Sequence, residues 1–201
     1  MNCEQIKSRL DAHLKWLSNE FDQRGQRFVE DGVDFIGGDW SNRSMSCAIL
    51  FYSRFDDCDL QAVDLFQAEL QGSTFRRANL ANANLSKANI DGCAFNEASM
   101  QQVSAMRIVS TDVGFNATSL ISGDLRLSKF IRGDFSRANL TGANLEGCTF
   151  DECKFCDSDL TGVKGLDSVN VESIVVVGSI DSPVELTGDA AIEWMRSQCG
   201  R

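Results

Sequence analysis

Few residues in this chain could do chemistry. Cys153, Lys154, Phe155 and Cys156 form a Cys-x-x-Cys, the spacing of zinc ligands and redox dithiols. There are eight cysteines and one histidine, His13. Seven aspartates, Asp34, Asp39, Asp59, Asp64, Asp124, Asp134 and Asp159, stand apart by multiples of five, and paired carboxylates are the machinery of glycoside hydrolysis. A thiol nucleophile needs a basic partner, and His13 has no second histidine with which to form a common metal cluster. The chain carries no Gly-rich phosphate loop and no serine elbow.

The elements that would position these groups follow a strict period. Phe35, Phe55, Phe75, Phe95, Phe115, Phe135 and Phe155 fall every twenty residues, a spacing that marks a structural repeat. Between 35 and 160 almost every fifth residue is large and apolar: Trp40, Met45, Leu50, Leu60, Leu65 and Leu70, on to Leu140, Leu145, Phe150 and Leu160. Two positions before each stands a mostly small residue, such as Ala48, Ser53, Cys58, Ala68, Ser73 or Ala78. Five residues per face and twenty per turn give four faces per coil, with phenylalanine at the same corner each time.

Ala78-Asn79-Leu80, Ala83-Asn84-Leu85, Ala88-Asn89-Ile90, Ala138-Asn139-Leu140 and Ala143-Asn144-Leu145 resemble the pentapeptide-repeat family, whose consensus is Ala-(Asp/Asn)-Leu-x-x. The resemblance covers some 26 consecutive quintets, about two thirds of the chain. It implies an all-β solenoid, a right-handed quadrilateral β-helix of about six to seven coils, with the central residue and the small one two before it turned inward. Coils stacked at about 4.8 Å make a rod roughly 31 Å long. Each buried central residue contributes about 1.5–3 kcal/mol, and neighbouring rings in the Phe column about 0.5–1.5 kcal/mol more per pair.

This register disperses the apparent sites. Cys153 takes an inward small position and Cys156 an outward one, so the two thiols face apart and no metal site is expected. Cys58, Cys93 and Cys148 are inward and act as small hydrophobes. Each of the seven aspartates precedes a central residue, where its side chain is expected to bond turn backbone. One stretch is irregular: Val103 and Ile108 are large for the small position, while Ala105 and Ser110 are small for the central one. An altered backbone turn is predicted there, with no register shift, because Phe95 and Phe115 stay twenty apart. Arg43, at a small inward position, suggests that the first coil is incomplete.

Three segments follow: 1–32, an N-terminal helical cap and linker; 33–165, the array; 166–201, a C-terminal cap. Ile6, Leu10, Leu14 and Leu17, widened by Trp16, read as an amphipathic helix over Glu4 to Asn19. Phe21 and Phe28 are expected anchors of the linker after it. Val169–Val171 and Ile174–Val177 read as short strands, Ser182-Pro183 as a turn, and a helix is predicted from Thr187 or Asp189 to Gln198. Such caps cover the strand edges and apolar ends of a solenoid.

The net charge of −10 is unevenly spread: 33–165 carry 17 acidic and 12 basic residues, and 166–201 carry 6 and 2. That balance disfavours direct nucleic-acid binding. The N-terminus lacks a basic region followed by an apolar run, so no signal peptide is expected, and no apolar stretch is long enough for a membrane span. Eight cysteines without a secretory signal suit a cytoplasmic, reduced protein. No enzyme activity and no cofactor are expected.

The function expected is a rigid protein-interaction scaffold. Outward apolar residues are its candidate surface: Phe51, Tyr52 and Phe66 towards the N-terminal end, and Met106, Leu127 and Ile131 further along the same side, unless the terminal segments cover them. The family resemblance implies an alternative, a DNA-mimicking protein that binds gyrase or another type II topoisomerase and protects it from quinolone-type poisons. It also implies homodimerisation through the C-terminal helix, whose Ala191, Ile192, Trp194 and Met195 lie on or beside one face. A pathogen effector or toxin-related binding protein is a further alternative.

Overall fold

In a computed structural model, residues 1–18 and 25–200 are described. Chain pairing is parallel and advances by twenty residues. Bridges join Val29 to Ile49, Asp34 to Arg54, Asp39 to Asp59 and Ser44 to Asp64, and the four series continue to Asn144–Lys164. Each coil of the array therefore pairs with the next at four points, and the array is a β-solenoid. Regular strands are short: β1 (Val109–Thr111), β2 (Lys129–Ile131), β3 (Thr149–Asp151) and β4 (Asn170–Val171) lie side by side on one face.

The interior follows the quintet. The seven phenylalanines are buried and stack in sequence, with ring centroids 4.2, 4.6, 4.7, 5.3, 5.0 and 5.0 Å apart from Phe35 to Phe155. Phe130 and Phe150 meet this column edge-on at 5.1–6.0 Å. The second residue after each central one takes a positive φ, at twenty non-glycine positions among the described residues, from Asn42 to Asp157. A turn whose second central residue is left-handed is what closes a face in five residues.

The irregular stretch keeps the frame. Val103, Ala105, Ile108 and Ser110 are all buried, and Ser104 pairs with both Asn84 and Asp124. After Ser110 the hydrogen-bonded turn gives way to a bend, and the same occurs after Phe130 and Phe150. At Ile108 a hydroxyl intervenes: its N–H donates to Ser128 Oγ, which donates on to the Ala105 carbonyl. Arg43 is exposed, so its side chain leaves the interior of the first coil.

Helix α1 (Cys3–Leu17) opens on a capping box, in which Asn2 Oδ1 accepts from the Gln5 N–H and Gln5 Oε1 from the Asn2 N–H. Its buried stripe is Ile6, Leu10 and His13. This corrects the expected stripe: Leu14 and Trp16 are exposed, because His13 satisfies two buried backbone groups and so turns the helix towards its own side. Phe28 is buried as expected; Phe21 lies outside the described residues.

Past Leu160 the repeat loosens. A 3-10 turn at Leu166–Ser168 adds one residue, so Thr149 pairs with Asn170, and a second added residue before β5 brings Lys154 opposite Val176. Strands β5 (Ile174–Ser179) and β6 (Ser182–Thr187) form an antiparallel hairpin, followed by α2 (Gly188–Gln198). The turn is at Ile180–Asp181, and Pro183 lies inside β6 opposite Gly178, not in the turn expected. β6 has a partner on one side only, so a residue without an N–H is tolerated there. Among the described residues, no helix is long and apolar enough to cross a membrane.

Candidate interaction surface

The aspartates are turn staples. Oδ1 of Asp34, Asp39, Asp59, Asp64, Asp124, Asp134 and Asp159 each accepts the N–H two residues on, from Ile36, Ser41, Gln61, Phe66, Arg126, Ser136 and Thr161 respectively, at 2.9–3.2 Å. The hydroxyls of Ser41 and Thr161 hold Asp39 and Asp159 below the usual carboxylate range, and the Arg126 guanidinium does the same for Asp124. A glycosidase acid needs the opposite shift.

The inward thiols are hydrogen-bond donors. Sγ of Cys58, Cys93, Cys148 and Cys153 points at the carbonyl 23 residues earlier, on Phe35, Leu70, Leu125 and Phe130, at 2.9–3.3 Å. Ser73 and Thr118 make the same bond to Leu50 and Phe95. Burial pushes the Cys58 thiol up to about 11 and those of Cys93, Cys148 and Cys153 up to about 12. Thiols so placed are inert as nucleophiles. Cys156 was expected to face solvent; it is buried, its Sγ 3.9 Å from the Val176 and Val177 carbonyls, because β5 runs across this part of the array. Among the described residues, no three His, Cys, Asp or Glu side chains are grouped to hold a metal ion.

His13 joins α1 to the array. Its Nδ1 accepts the Phe28 N–H at 3.0 Å, so Nε2 carries the proton and donates to the Ser46 carbonyl at 2.9 Å. Burial pushes its pKa below 6.5; the Ser46 bond opposes this and the Arg27 charge adds to it.

The outward apolar residues sort by corner rather than into one patch. Phe51, Tyr52 and Ile131 belong to one row, where Asp91, Asp112 and Arg132 intervene. Tyr52 is 69% exposed, its ring lying over Gly72, where a side chain would collide with it. Phe66, Met106 and Leu127 occupy the next corner, interleaved with cations. Lys87 Nζ sits 5.4 Å from the Phe66 ring centroid, and Arg126 Nη2 is 3.8 Å from Met106 Sδ. Leu127 is 53% exposed over Gly147. Beside them stands Val109, 65% exposed, which sequence reasoning missed. Its signal was available: an apolar residue precedes a small central one, Ser110, reversing the usual order.

On α2, Ala191 and Met195 are fully buried against this chain, which removes them from any face free for a second copy; Ile192 and Trp194 are half-buried. The Gly162 N–H donates to the Cys199 carbonyl, and Arg196 pairs with Asp167, so the helix end is tied to the array. Elsewhere charges pair between coils: Arg77 grips Asp57 and Arg132 grips Asp112, each with two nitrogens at 2.7–2.9 Å.

Residues 64–102, 115–147 and 134–164 match the family described as Pentapeptide repeats, in eight copies. No curated protein matches the chain. Among solved structures, HetL, a pentapeptide repeat protein involved in heterocyst differentiation regulation in the cyanobacterium Nostoc, is 17% identical over 81% of each chain, with a TM-score of 0.48. QnrB1, a plasmid-mediated fluoroquinolone resistance protein, is 18% identical over 72% of this chain and 93% of its own, with a TM-score of 0.46. A pentapeptide repeat protein from the Arabidopsis thaliana thylakoid lumen is 26% identical over 64% of this chain and 65% of its own, with a TM-score of 0.31. None of these likenesses bears on function.

Proposed function

Because its array belongs to the pentapeptide-repeat family, we propose that this protein works without catalysis or cofactor, as a rigid rod whose outer surface binds another protein. One observation carries the reading: the inward thiols of the array and the aspartates that suggested chemistry are engaged inside the fold or in its turns, as with the buried thiols near 12 and the aspartates tied to turn N–H groups. What faces outward is a set of side chains on a stiff frame, and that favours recognition. In this reading the array, 33–165, is a right-handed quadrilateral β-helix of six to seven coils, and 1–32 and 166–201 cap its ends. The seating of α1 through His13 and of α2 through Gly162 and Asp167 supports the caps. Eight free cysteines favour a reducing, cytoplasmic setting.

An affinity pull-down from native extract, with Phe66→Glu as the surface control, tests the reading. A partner retained by the native chain and lost by the variant supports it; identical profiles, or turnover of a substrate by the purified chain, would end it. Topoisomerase mimicry is the weaker reading, since a DNA-like rod needs a continuous row of carboxylates, and here Arg77 and Arg132 neutralise Asp57 and Asp112. Absence of any effect on gyrase supercoiling at micromolar protein would remove it. Homodimerisation through α2 is left with Ile192 and Trp194 alone, and a monomeric mass by light scattering would exclude it.

A further inference from the structure

Over the stretch from Phe66 to Leu127, one of the four corner rows combines large apolar and cationic side chains with no carboxylate among them; the next member of that row is the exposed Glu146, whose charge acts on Arg126 and ends the cationic stretch. Its successive pairs are Phe66-Gln67, Ser86-Lys87, Met106-Arg107 and Arg126-Leu127. The acids on the flanking faces are engaged: Asp124 pairs with Arg126, Glu172 with Lys129, Glu69 accepts from Gln71, and Asp64 accepts from Asn84. Lys87 and Arg107 make no ion pair among the described residues, and Arg107 is exposed.

A second observation lies at Val109 and Ser110. Elsewhere from Phe35 to Leu160, apart from Ala105, the central inward position holds a large apolar residue. Here the apolar Val109 is outside, and the Ser110 hydroxyl is fully buried without a hydrogen-bond partner. Interchanging the two residue types would satisfy both groups, so this arrangement costs stability. Departures of this kind gather at functional surfaces. Val109 lies on the face that adjoins the Met106–Arg107 corner, beside Lys129, its partner in the ladder.

We propose that this corner and the adjoining face, Phe66, Lys87, Met106, Arg107, Val109 and Leu127, dock an acidic segment of another protein that carries spaced apolar side chains. The proposal rests on the scaffold reading and names its partner class. Coils about 4.8 Å apart present apolar and cationic groups in turn to a segment laid along the rod. Apolar side chains of that segment would cover Met106, Val109 and Leu127, while its carboxylates meet Lys87 and Arg107.

The test is selection of a random twelve-residue phage-displayed peptide library on the immobilised full-length chain. The winners are then titrated by fluorescence anisotropy against the native chain, Arg107→Glu/Val109→Asp, Lys87→Glu, and Gln101→Glu on the uncharged corner. These residues are at the surface, and matching thermal melts confirm that the variants are folded. Expected are peptides rich in Asp or Glu with interspersed apolar residues, binding at least tenfold more weakly to the first two variants and unchanged to Gln101→Glu. Selection of basic or uncharged peptides, or of none, would overturn the proposal. Acidic winners that ignore both variants would overturn this corner while leaving the scaffold reading intact. Tighter binding of a labelled duplex oligonucleotide than of the best peptide, lost in the same variants, would replace the acidic peptide with nucleic acid. Concentration-dependent self-association lost in the same variants would replace it with a second copy of this chain.

Discussion

His13 holds the first helix to the array only while it is neutral. Nδ1 must accept the Phe28 N–H while Nε2–H donates to the Ser46 carbonyl, and a proton on Nδ1 would set two donors against each other. Burial lowers its pKa from 6.5 in the fold. As pH falls through 6.5 the unfolded chain takes up the proton and the folded chain does not, so stability declines with falling pH until the folded pKa is reached. NMR should place the His13 titration below 6.5, and His13→Ala, which strands a buried donor and acceptor, should cost about 1–3 kcal/mol for each group left unpaired and flatten the pH dependence. A titration at or above 6.5 would contradict this geometry. The thiols give a second expectation at the same scale. Cys3 is exposed, whereas Cys58, Cys93, Cys148 and Cys153 are buried donors with pKa values near 11–12. Maleimide labelling of the native protein at pH 7 should modify Cys3 first and reach those four only after denaturation; rapid labelling of any of them would mean that the coils open locally.

At the scale of the element, the five-residue face needs a left-handed residue at each corner. The chain fills these sites with Gly, Asn, Asp, Ala, Ser, Gln, Arg, Lys and others, but with no Val, Ile or Thr. A branched Cβ is the worst fit to positive φ. Ala62 has φ of 54° and an exposed side chain; it already carries the Cβ cost of this conformation, so Ala62→Val should lower stability further through its branched Cβ without touching the core, and Ala62→Gly should not. Equal melting temperatures for the two variants would mean that corner strain is not what selects these residues. This constraint was hard to read in advance, because the corner residues share a conformation and not a chemistry. The core and the aspartate turns were legible, since both depend on side-chain type at fixed offsets. Leu14 was misread for the opposite reason: hydropathy ranks leucine above histidine, yet two backbone groups on other segments needed what only His13 could supply. The thiols were placed correctly as inward, but their bonds to carbonyls 23 residues back depend on how one coil seats on the next. Val109 left a trace in the broken order at 109–110, visible once the register is drawn, whereas the burial of Cys156 depends on β5, which lies outside the repeat.

Across the whole molecule, the pairing pattern makes stability a nearest-neighbour property. Bridges in the array join each coil only to the one before and the one after, as in other one-dimensional repeat proteins. The exposed Arg77–Asp57 and Arg132–Asp112 pairs add little to this; the continuous element is the Phe column. Phe95 sits in its middle, 4.7 Å from the Phe75 ring and 5.3 Å from the Phe115 ring. Phe95→Ala removes both ring contacts and leaves a cavity sealed by the coils above and below, a loss of about 3–5 kcal/mol. Since each coil is held by its neighbours alone, that loss should be felt locally. Hydrogen exchange should show the largest fall in amide protection between residues 75 and 115, with residues 35–55 and 135–155 retaining more of theirs. The same experiment decides against the picture as readily as for it. A uniform fall from Val29 to Val176 would mean that the array opens as a single cooperative unit, and the column would then be a continuous spine rather than a series of separable joints.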